Sequence, residues 1–186
     1  AHVLYDIEAQ VPAFYTVTTA SKHDSTAMSS IHYEPNAYYI FDRAYDSFKE
    51  LYRIHLTDSF FVVRAKTNLK YKTVKWKRRM PKNIMTDAEV KLTGYLSGKK
   101  YPESFRLVRY YDEEDDRELT FLTNAKQLSA LDVANLYKKR WLIELFFKWL
   151  KQHLKIKKFW GTTENAVRIQ ISVAIITYCL VAIVPV

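Results

Sequence analysis

Alternating apolar positions predict a β-hairpin near the start of the sequence. Residues 2–6 and 11–18 are rich in β-branched and aromatic side chains, and the short segment Glu8 to Gln10 separates them. Two runs of this kind around a short polar segment are typical of antiparallel strands joined by a turn. We therefore expect two paired strands over these residues.

Compact apolar runs then predict a strand, a helix and a second strand. Residues 37–42 ("AYYIFD") and 59–65 ("SFFVVRA") have the length and composition of buried strands. Between them, residues 47–56 carry apolar side chains at helical spacing. Strands and helices in this order, with more helices after them, indicate a mixed sheet covered by helices.

The middle of the chain interrupts this pattern. Basic residues crowd its first part, and three later segments alternate in the manner of antiparallel strands. We interpret this β-rich stretch as an insertion. The chain then has three predicted parts: residues 1–65, the first part of the core; 66–124, the β-rich insertion; and 125–186, the C-terminal helical part of the core.

From Ser129 onward the pattern predicts helices. The first continues to about residue 156, a break follows near Gly161, and a last helix begins at residue 163. The apolar run from Ile169 to Val184 is shorter than the ~20 residues that span a bilayer. We expect it to form a buried core helix and not a membrane span.

The net charge of the chain indicates which kind of partner it binds. The formal net charge is +9, from 29 Lys and Arg against 20 Asp and Glu. A balance this basic favours a polyanion such as nucleic acid, because each neutralised phosphate releases counterions. Cys179 is the only cysteine, which excludes an internal disulfide, and no Cys or His cluster has zinc-like spacing.

A stripe of polar side chains marks the first C-terminal helix. On one continuous helix, a rotation of about 100° per residue places Tyr137, Arg140, Glu144 and Lys151 along one narrow line. Apolar side chains occupy most of the remaining circumference. A helix of that kind is usually buried, so we expect Glu144 to lie in a polar seam of a packed element.

The same spacing also fits a simpler interpretation. Arg140, Glu144, Lys148 and Gln152 follow one another at intervals of four, as in a ladder of ion pairs. Such pairs contribute only about 0.2–0.5 kcal/mol each. The basic residues around this helix outnumber what one Glu can pair, so the ladder leaves most of them unexplained.

Asp42 is a second acid in an otherwise apolar setting. It follows a buried strand, and the carboxyl ends of strands are where open α/β sheets place ligand-binding groups. Alone, it is equally explained as a strand-end cap or a turn former. Together, Asp42 and Glu144 are hard oxygen ligands of the type that holds Mg²⁺ or Mn²⁺ beside a phosphodiester.

Basic and aromatic residues are interleaved between residues 66 and 82. Such a segment can follow phosphates with its cations and stack a base on its indole ring. A solvated charged loop is the alternative. The predicted DNA-binding residues here are Lys75, Trp76, Lys77, Arg78 and Arg79.

These motifs resemble those of a known family. The spacing of Tyr137, Arg140, Glu144 and Lys151 resembles the Tyr-Arg-Glu-Lys signature of bacterial insertion-sequence DDE transposases. The segment "YIFDRAYDSF" resembles the one that carries that family's second catalytic Asp, and "FFVVRAK" resembles the strand that follows it. The similarity extends over essentially the whole chain, including the β-rich insertion.

The resemblance implies a fold and a site. The fold would be a ribonuclease H-like mixed sheet flanked by helices, with the β-rich insertion before the C-terminal helices. Asp42 would be the second catalytic acid and Glu144 the third, both as ligands of Mg²⁺ or Mn²⁺. Tyr137, Arg140 and Lys151 would hold DNA. The reaction would be metal-dependent DNA cleavage followed by strand transfer.

The resemblance also implies partners and a place of action. The partners would be transposon ends and target DNA, bound by a homodimer in a synaptic complex. No membrane would be involved. The protein would act in the cytoplasm of a prokaryote, at the nucleoid. A nuclease or resolvase of ribonuclease H-like fold that does not transfer strands is one alternative. A basic DNA-binding module with a dead site is another.

One departure from the family pattern affects the first acid. The family's first Asp lies on the first core strand, whereas this sequence matches from the second strand onward. Asp6 is the only early candidate, and its position beside the predicted hairpin turn favours a structural role. We therefore expect the first strand and its Asp upstream of this sequence, and little activity from these residues alone.

Overall fold

The computed structural model describes residues 2–17, 27–45, 47–77, 79–154, 160–161 and 163–183. The chain divides into two compact units. One comprises Ala1–Lys22 with Lys139–Val186, and the other comprises His23–Lys138. Each unit has its own cluster of buried apolar side chains.

The smaller unit contains the predicted hairpin. Strand β1 (His2–Asp6) pairs antiparallel with β2 (Val11–Thr16), and the two form a sheet of their own. Oδ1 of Asp6 accepts hydrogen bonds from the backbone N–H groups of Glu8 and Ala9, at 2.8 and 2.9 Å. The carboxylate therefore closes the turn, which is the structural role that its position indicated.

The larger unit is built on a six-stranded sheet. In chain order its strands are β3 (Tyr38–Phe41), β4 (Phe60–Arg64), β5 (Tyr71–Trp76), β6 (Ile84–Leu92), β7 (Phe105–Asp112) and β8 (Arg117–Thr123). Their order across the sheet is β3-β4-β8-β7-β6-β5. β3 and β4 are parallel, and every other neighbouring pair in this sheet is antiparallel. The predicted mixed sheet is confirmed.

The β-rich stretch continues this sheet. β8 pairs with β4, and β7, β6 and β5 extend the sheet outward, so β5 is an edge strand. Residues 88–98, one of the three segments predicted as strands, lie in β6 only as far as Leu92, and their last residues belong to a short helix at Tyr95–Lys100. The division of the chain at residues 65 and 124 stays a prediction.

In the described part of the larger unit, three α-helices with defined bounds accompany the sheet. They are α1 (Phe48–Leu56), α2 (Tyr95–Lys100) and α3 (Ala130–Lys138). Ser129 and Asp132 form a reciprocal cap at the start of α3: Ser129 Oγ accepts from the Asp132 N–H at 3.0 Å, and Asp132 Oδ2 accepts from the Ser129 N–H at 3.2 Å. The predicted helix start at Ser129 is confirmed.

The helix that follows is not continuous, which corrects the single helix predicted to residue 156. α3 ends at Lys138, a turn spans Lys139 and Arg140, and α4 occupies Trp141–His153. Tyr137 packs in the core of the larger unit, whereas Phe146 packs in the core of the smaller one. Tertiary packing of the two segments overrides the local helix pattern, and no Gly or Pro marks the break.

The last helix, α5 (Glu164–Ile183), is mostly exposed, so the prediction of a buried core helix is wrong. Of its residues only Ala174 and Ile175 are fully buried, because the described residues of the unit pack against one side of it. In the described part of the chain it is the one helix long and apolar enough to cross a membrane. Core helices of soluble proteins satisfy the same criterion.

Candidate active site

Asp42 lies immediately after β3, as predicted, and its carboxylate is partly exposed. Oδ1 accepts a hydrogen bond from the backbone N–H of Arg43 at 2.6 Å. The Asp42 carbonyl accepts another from the N–H of Tyr45 at 2.9 Å, which stabilises a short 3₁₀ turn. Asp42 therefore caps the strand end, and the residue nevertheless remains partly exposed to solvent.

Tyr137 is brought to this carboxylate by the last turn of α3. Its hydroxyl donates to Oδ1 of Asp42 at 3.3 Å. The side chain is buried, and its ring packs against Phe121 of β8 with 4.7 Å between the ring centroids. Two residues 95 positions apart in the sequence, both predicted as site residues, are thus in contact.

The break after Lys138 changes the predicted polar stripe. Tyr137 belongs to α3, whereas Glu144 and Lys151 belong to α4 and Arg140 directly precedes it. Because one continuous helix was the premise for placing all four on one line, that prediction is wrong for Tyr137. It holds for Arg140, Glu144 and Lys151, which follow one helical path.

Glu144 forms an ion pair with Arg140. Nη2 of Arg140 donates to Oε1 of Glu144 at 2.6 Å, one helical turn apart. The Glu144 side chain is 40% exposed and that of Arg140 25%. The buried seam predicted for Glu144 is therefore wrong in the described residues, and the first step of the ion-pair ladder is present.

The exposed side of α4 carries an open groove that reaches from Glu144 to Lys151. The residues that line it are Glu144, Phe147, Lys148, Lys151 and Gln152, around a volume of about 510 Å³. One carboxylate and two ammonium groups therefore face the same volume. Such a surface can hold a phosphate on its two ammonium groups, next to the carboxylate.

The rest of α4 departs from its predicted packing. Trp141, on the apolar side of a helix expected to be buried, is more than half exposed, whereas Trp149 packs against Tyr178 of α5 with 5.1 Å between ring centroids. The apolar arc of α4 is thus only partly covered by the described residues. Phe146 and Leu150 are its buried members.

The basic stretch forms the edge of the sheet and one side of a cavity of about 250 Å³. Seven residues line the cavity: Lys75, Trp76, Lys77, Asp87, Glu89, Arg106 and Lys126. The Trp76 side chain is 61% exposed, and Nζ of Lys77 lies 3.2 Å from Oδ2 of Asp87. Arg79 is exposed just after this strand, and Arg78 lies outside the described residues.

Four residues of this cavity were not predicted. Arg106 and Asp87 are buried and form an ion pair. Nζ of Lys126 lies 3.5 Å from Oε1 of Glu89 at the margin of the cavity. Asp87 and Glu89 lie in an alternating strand, where charged residues look like ordinary solvent-facing positions, and Lys126 lies in a turn after β8. Arg106 offered the clearer signal, because it stands between Phe105 and Leu107 in its strand.

Comparison with known proteins decides the family. Residues 1–180 match the family model described as "Transposase DDE domain". The chain belongs to the DDE transposase family.

Two relatives show how much of such a protein the chain represents. A putative transposase of Sinorhizobium fredii is 36% identical over 98% of this chain and 52% of its own length. A probable transposase for an insertion sequence element of Geobacillus stearothermophilus is 32% identical over 96% of this chain and 47% of its own length. The transposase chain therefore spans about half the length of these relatives.

The two acids fit a divalent cation as donors. Asp42 and Glu144 offer carboxylate oxygens, which Mg²⁺ and Mn²⁺ prefer. In the described ranges, no three His, Cys, Asp or Glu side chains come close enough to hold a metal ion.

Proposed function

We propose that the chain is the catalytic part of a DNA transposase that cleaves DNA with the help of metal ions and transfers the cut strand. The match of residues 1–180 to the transposase DDE domain carries this proposal. Because the chain spans about half of its relatives, the activity is proposed for the full-length protein. We expect the 186-residue chain by itself to show little or no cleavage.

In this proposal Asp42 and Glu144 are the metal ligands, with Mg²⁺ or Mn²⁺ as the cation. The ions supply activation of the attacking hydroxyl and stabilisation of the leaving oxygen when they are bound. The proposal is supported by the position of Asp42 at a strand end and by the exposure of Glu144 beside a groove.

Arg140 and Lys151 are proposed to hold the phosphates of the transposon end. Lys151 lines the groove that Glu144 also lines. Arg140 is bonded to Glu144, so its guanidinium is held next to the acid at which a phosphate would react. A guanidinium suits this task, because its planar fork matches the oxygens of a phosphate.

A second DNA-binding surface is proposed along the edge strand β5 and the residues after it. Lys75, Lys77 and Arg79 supply positive charge for phosphates. Trp76 supplies an exposed aromatic face on which a base can stack. Arg78 belongs to the proposal by its sequence position alone.

The proposed partners are the transposon ends and target DNA, bound by a homodimer in a synaptic complex. Transposases of this family act on DNA, and the net charge of +9 suits that partner. The prokaryotic cytoplasm, at the nucleoid, is the proposed place of action.

The test uses the full-length protein with Mn²⁺ and a labelled transposon-end DNA. Asp42→Asn and Glu144→Gln are each expected to abolish strand cleavage and joining while DNA affinity is retained. Glu164→Gln is the matched control, because Glu164 pairs with Arg168 one turn away at 2.7 Å, as Glu144 pairs with Arg140. The control is expected to keep full activity.

The joining of a cut DNA end to target DNA distinguishes the proposed transposase from the alternative functions. Attachment of a freed 3′-hydroxyl end to target DNA supports a transposase. Metal-dependent cutting without joining would instead identify a nuclease or resolvase. DNA binding without metal-dependent cleavage by the full-length protein would identify a DNA-binding module with a dead site.

A further inference from the structure

The ring of Tyr137 has a fixed position in the core of the larger unit. Its side chain is only 6% exposed in a cluster with Val62, Val108 and Phe121. These neighbours come from three different strands of the sheet. A ring buried in a cluster that draws on three strands cannot swing out toward solvent without opening the core.

The next residue anchors the same end of α3. Nζ of Lys138 donates to Oδ1 of Asp112 at 3.2 Å and to Oε2 of Glu114 at 3.3 Å. It also lies over the ring of Tyr110, 5.6 Å from the centroid. Burial alone would lower the pKa of Lys138, but the hydrogen bonds that it donates to Asp112 and Glu114 raise that pKa above its ordinary value. The ammonium therefore stays charged and holds the helix end to the hairpin between β7 and β8.

The packed ring of Tyr137 and the ion pairs of Lys138 together determine where the Tyr137 hydroxyl points. It donates to Oδ1 of Asp42, the same oxygen that accepts the N–H of Arg43. Two donors on one oxygen, a backbone N–H and a buried phenol, restrain the position of that oxygen and limit rotation of the carboxylate.

We propose that Tyr137 is a positioning residue that orients the Asp42 carboxylate for metal binding, and that it acts through Asp42 instead of contacting a DNA phosphate. This inference rests on the proposed function, in which Asp42 is a metal ligand. Hydrogen bonds to metal ligands set their orientation, and their loss typically costs 10–100-fold in metal affinity or activity.

The test compares Tyr137→Phe with the parent in the full-length protein. The substitution keeps the packed ring and removes the hydroxyl alone. We expect the Mn²⁺ concentration for half-maximal cleavage to rise about tenfold, with the rate restored at saturating Mn²⁺ and DNA affinity unchanged. Mn²⁺ binding measured without DNA, from the free-ion signal in electron paramagnetic resonance, is expected to weaken by the same factor.

Tyr39→Phe is the matched control. Tyr39 is a buried tyrosine on β3, and its hydroxyl accepts the N–H of Glu34 at 2.8 Å. Tyr39→Phe thus removes a tyrosine hydroxyl three residues before Asp42, but it keeps the hydrogen bond from Tyr137 to Asp42. We expect parental Mn²⁺ dependence from it.

A second variant, Lys138→Met, covers the case in which Tyr137→Phe does not fold. It loosens the anchor of α3 and leaves the hydroxyl in place, so the Mn²⁺ requirement is expected to rise by a smaller factor. Parental Mn²⁺ binding in whichever of the two variants folds would overturn the inference.

Other results overturn the inference in distinguishable ways. Weakened DNA binding by Tyr137→Phe with parental Mn²⁺ dependence would make Tyr137 a phosphate contact. Full cleavage and Mn²⁺ binding by Asp42→Asn would remove Asp42 from the metal site, and with it both the inference and that part of the proposed function.

Discussion

Arg106 and Asp87 form a buried, two-pronged ion pair across neighbouring strands β7 and β6. Nε of Arg106 donates to Oδ1 of Asp87 at 2.6 Å, and Nη2 donates to Oδ2 at 2.7 Å. Nη1 also donates to the carbonyl of Leu128 at 2.5 Å, just before α3. The pair therefore ties the sheet to the segment that leads into the helix of Tyr137.

Breaking this pair from one side is expected to destabilise the fold strongly. Arg106→Met leaves Asp87 as a buried charge with Lys77 as its remaining ion-pair partner among the described residues, so the free energy of unfolding should fall by about 3–5 kcal/mol. Asp87→Leu with Arg106→Met should cost less than the sum of the single changes, because neither charge is then stranded. Urea unfolding of the four proteins measures the coupling, and additive effects would show that the pair is not coupled.

The same pair predicts how stability depends on pH. Burial alone would raise the pKa of Asp87, but the hydrogen bonds and charge of Arg106, together with Lys77, bring it below its ordinary value. A carboxyl with a lowered pKa in the folded state stabilises the fold above its unfolded pKa of about 3.9 and loses that contribution as the pH falls through the folded value.

We therefore expect the free energy of unfolding to fall as the pH drops below about 4. Asp87→Asn should be less stable than the parent at neutral pH and should show a flatter decline in acid. Urea titrations at a series of pH values give both curves. Parallel curves for parent and variant would assign the acid sensitivity to other carboxyl groups.

DNA binding by the chain is expected to depend steeply on salt. If Lys75 and Lys77 contact phosphates, changing both to Gln should reduce the slope of log affinity against log salt by about 2. Lys49→Gln is the control, because Lys49 is exposed on α1, outside the proposed surface. Fluorescence anisotropy at several salt concentrations measures the slopes, and equal slopes for all three proteins would exclude β5 from the interface.

Trp76 is expected to contribute by stacking on a base. Trp76→Ala should weaken binding to single-stranded DNA by about 1–3 kcal/mol, with little change in salt dependence because no charge is lost. Trp160→Ala is the control, since Trp160 is 93% exposed and outside the proposed surface. Equal losses in the two variants would show that Trp76 has no specific role.

Local patterns predicted the elements whose packing agrees with their sequence. The hairpin β1–β2, strands β3 and β4 and helix α1 follow directly from alternating or helical spacing of apolar residues. The position of Asp42 at a strand end also follows from this pattern. Each of these features is determined by residues that are close together in the sequence, so local patterns are sufficient to predict it.

The break between α3 and α4 could not be predicted from local sequence. Helix formers continue through Lys139 and Arg140, and no Gly or Pro interrupts them. The break exists because Tyr137 and Phe146 belong to different cores, and that partition depends on distant residues. The exposure of Glu144 and of α5 escaped prediction for the same reason.

The contact between Tyr137 and Asp42 was likewise hidden. Both residues were predicted for the site, but from separate motifs and for separate roles. Their hydrogen bond requires α3 to pack on the sheet so that Tyr137 reaches the end of β3. Spacing along one segment contains no information about such a contact.

The edge position of β5 has a consequence for the chain's solubility. An outer strand exposes unpaired backbone N–H and C=O groups that can template pairing with another molecule, and lysines at such an edge oppose this by electrostatic repulsion. Lys72 and Lys75 stand on that strand, so Lys75, which is proposed to attract a polyanion, also helps to keep identical molecules apart. Neutralising them would therefore favour growth of the sheet from molecule to molecule, toward aggregates.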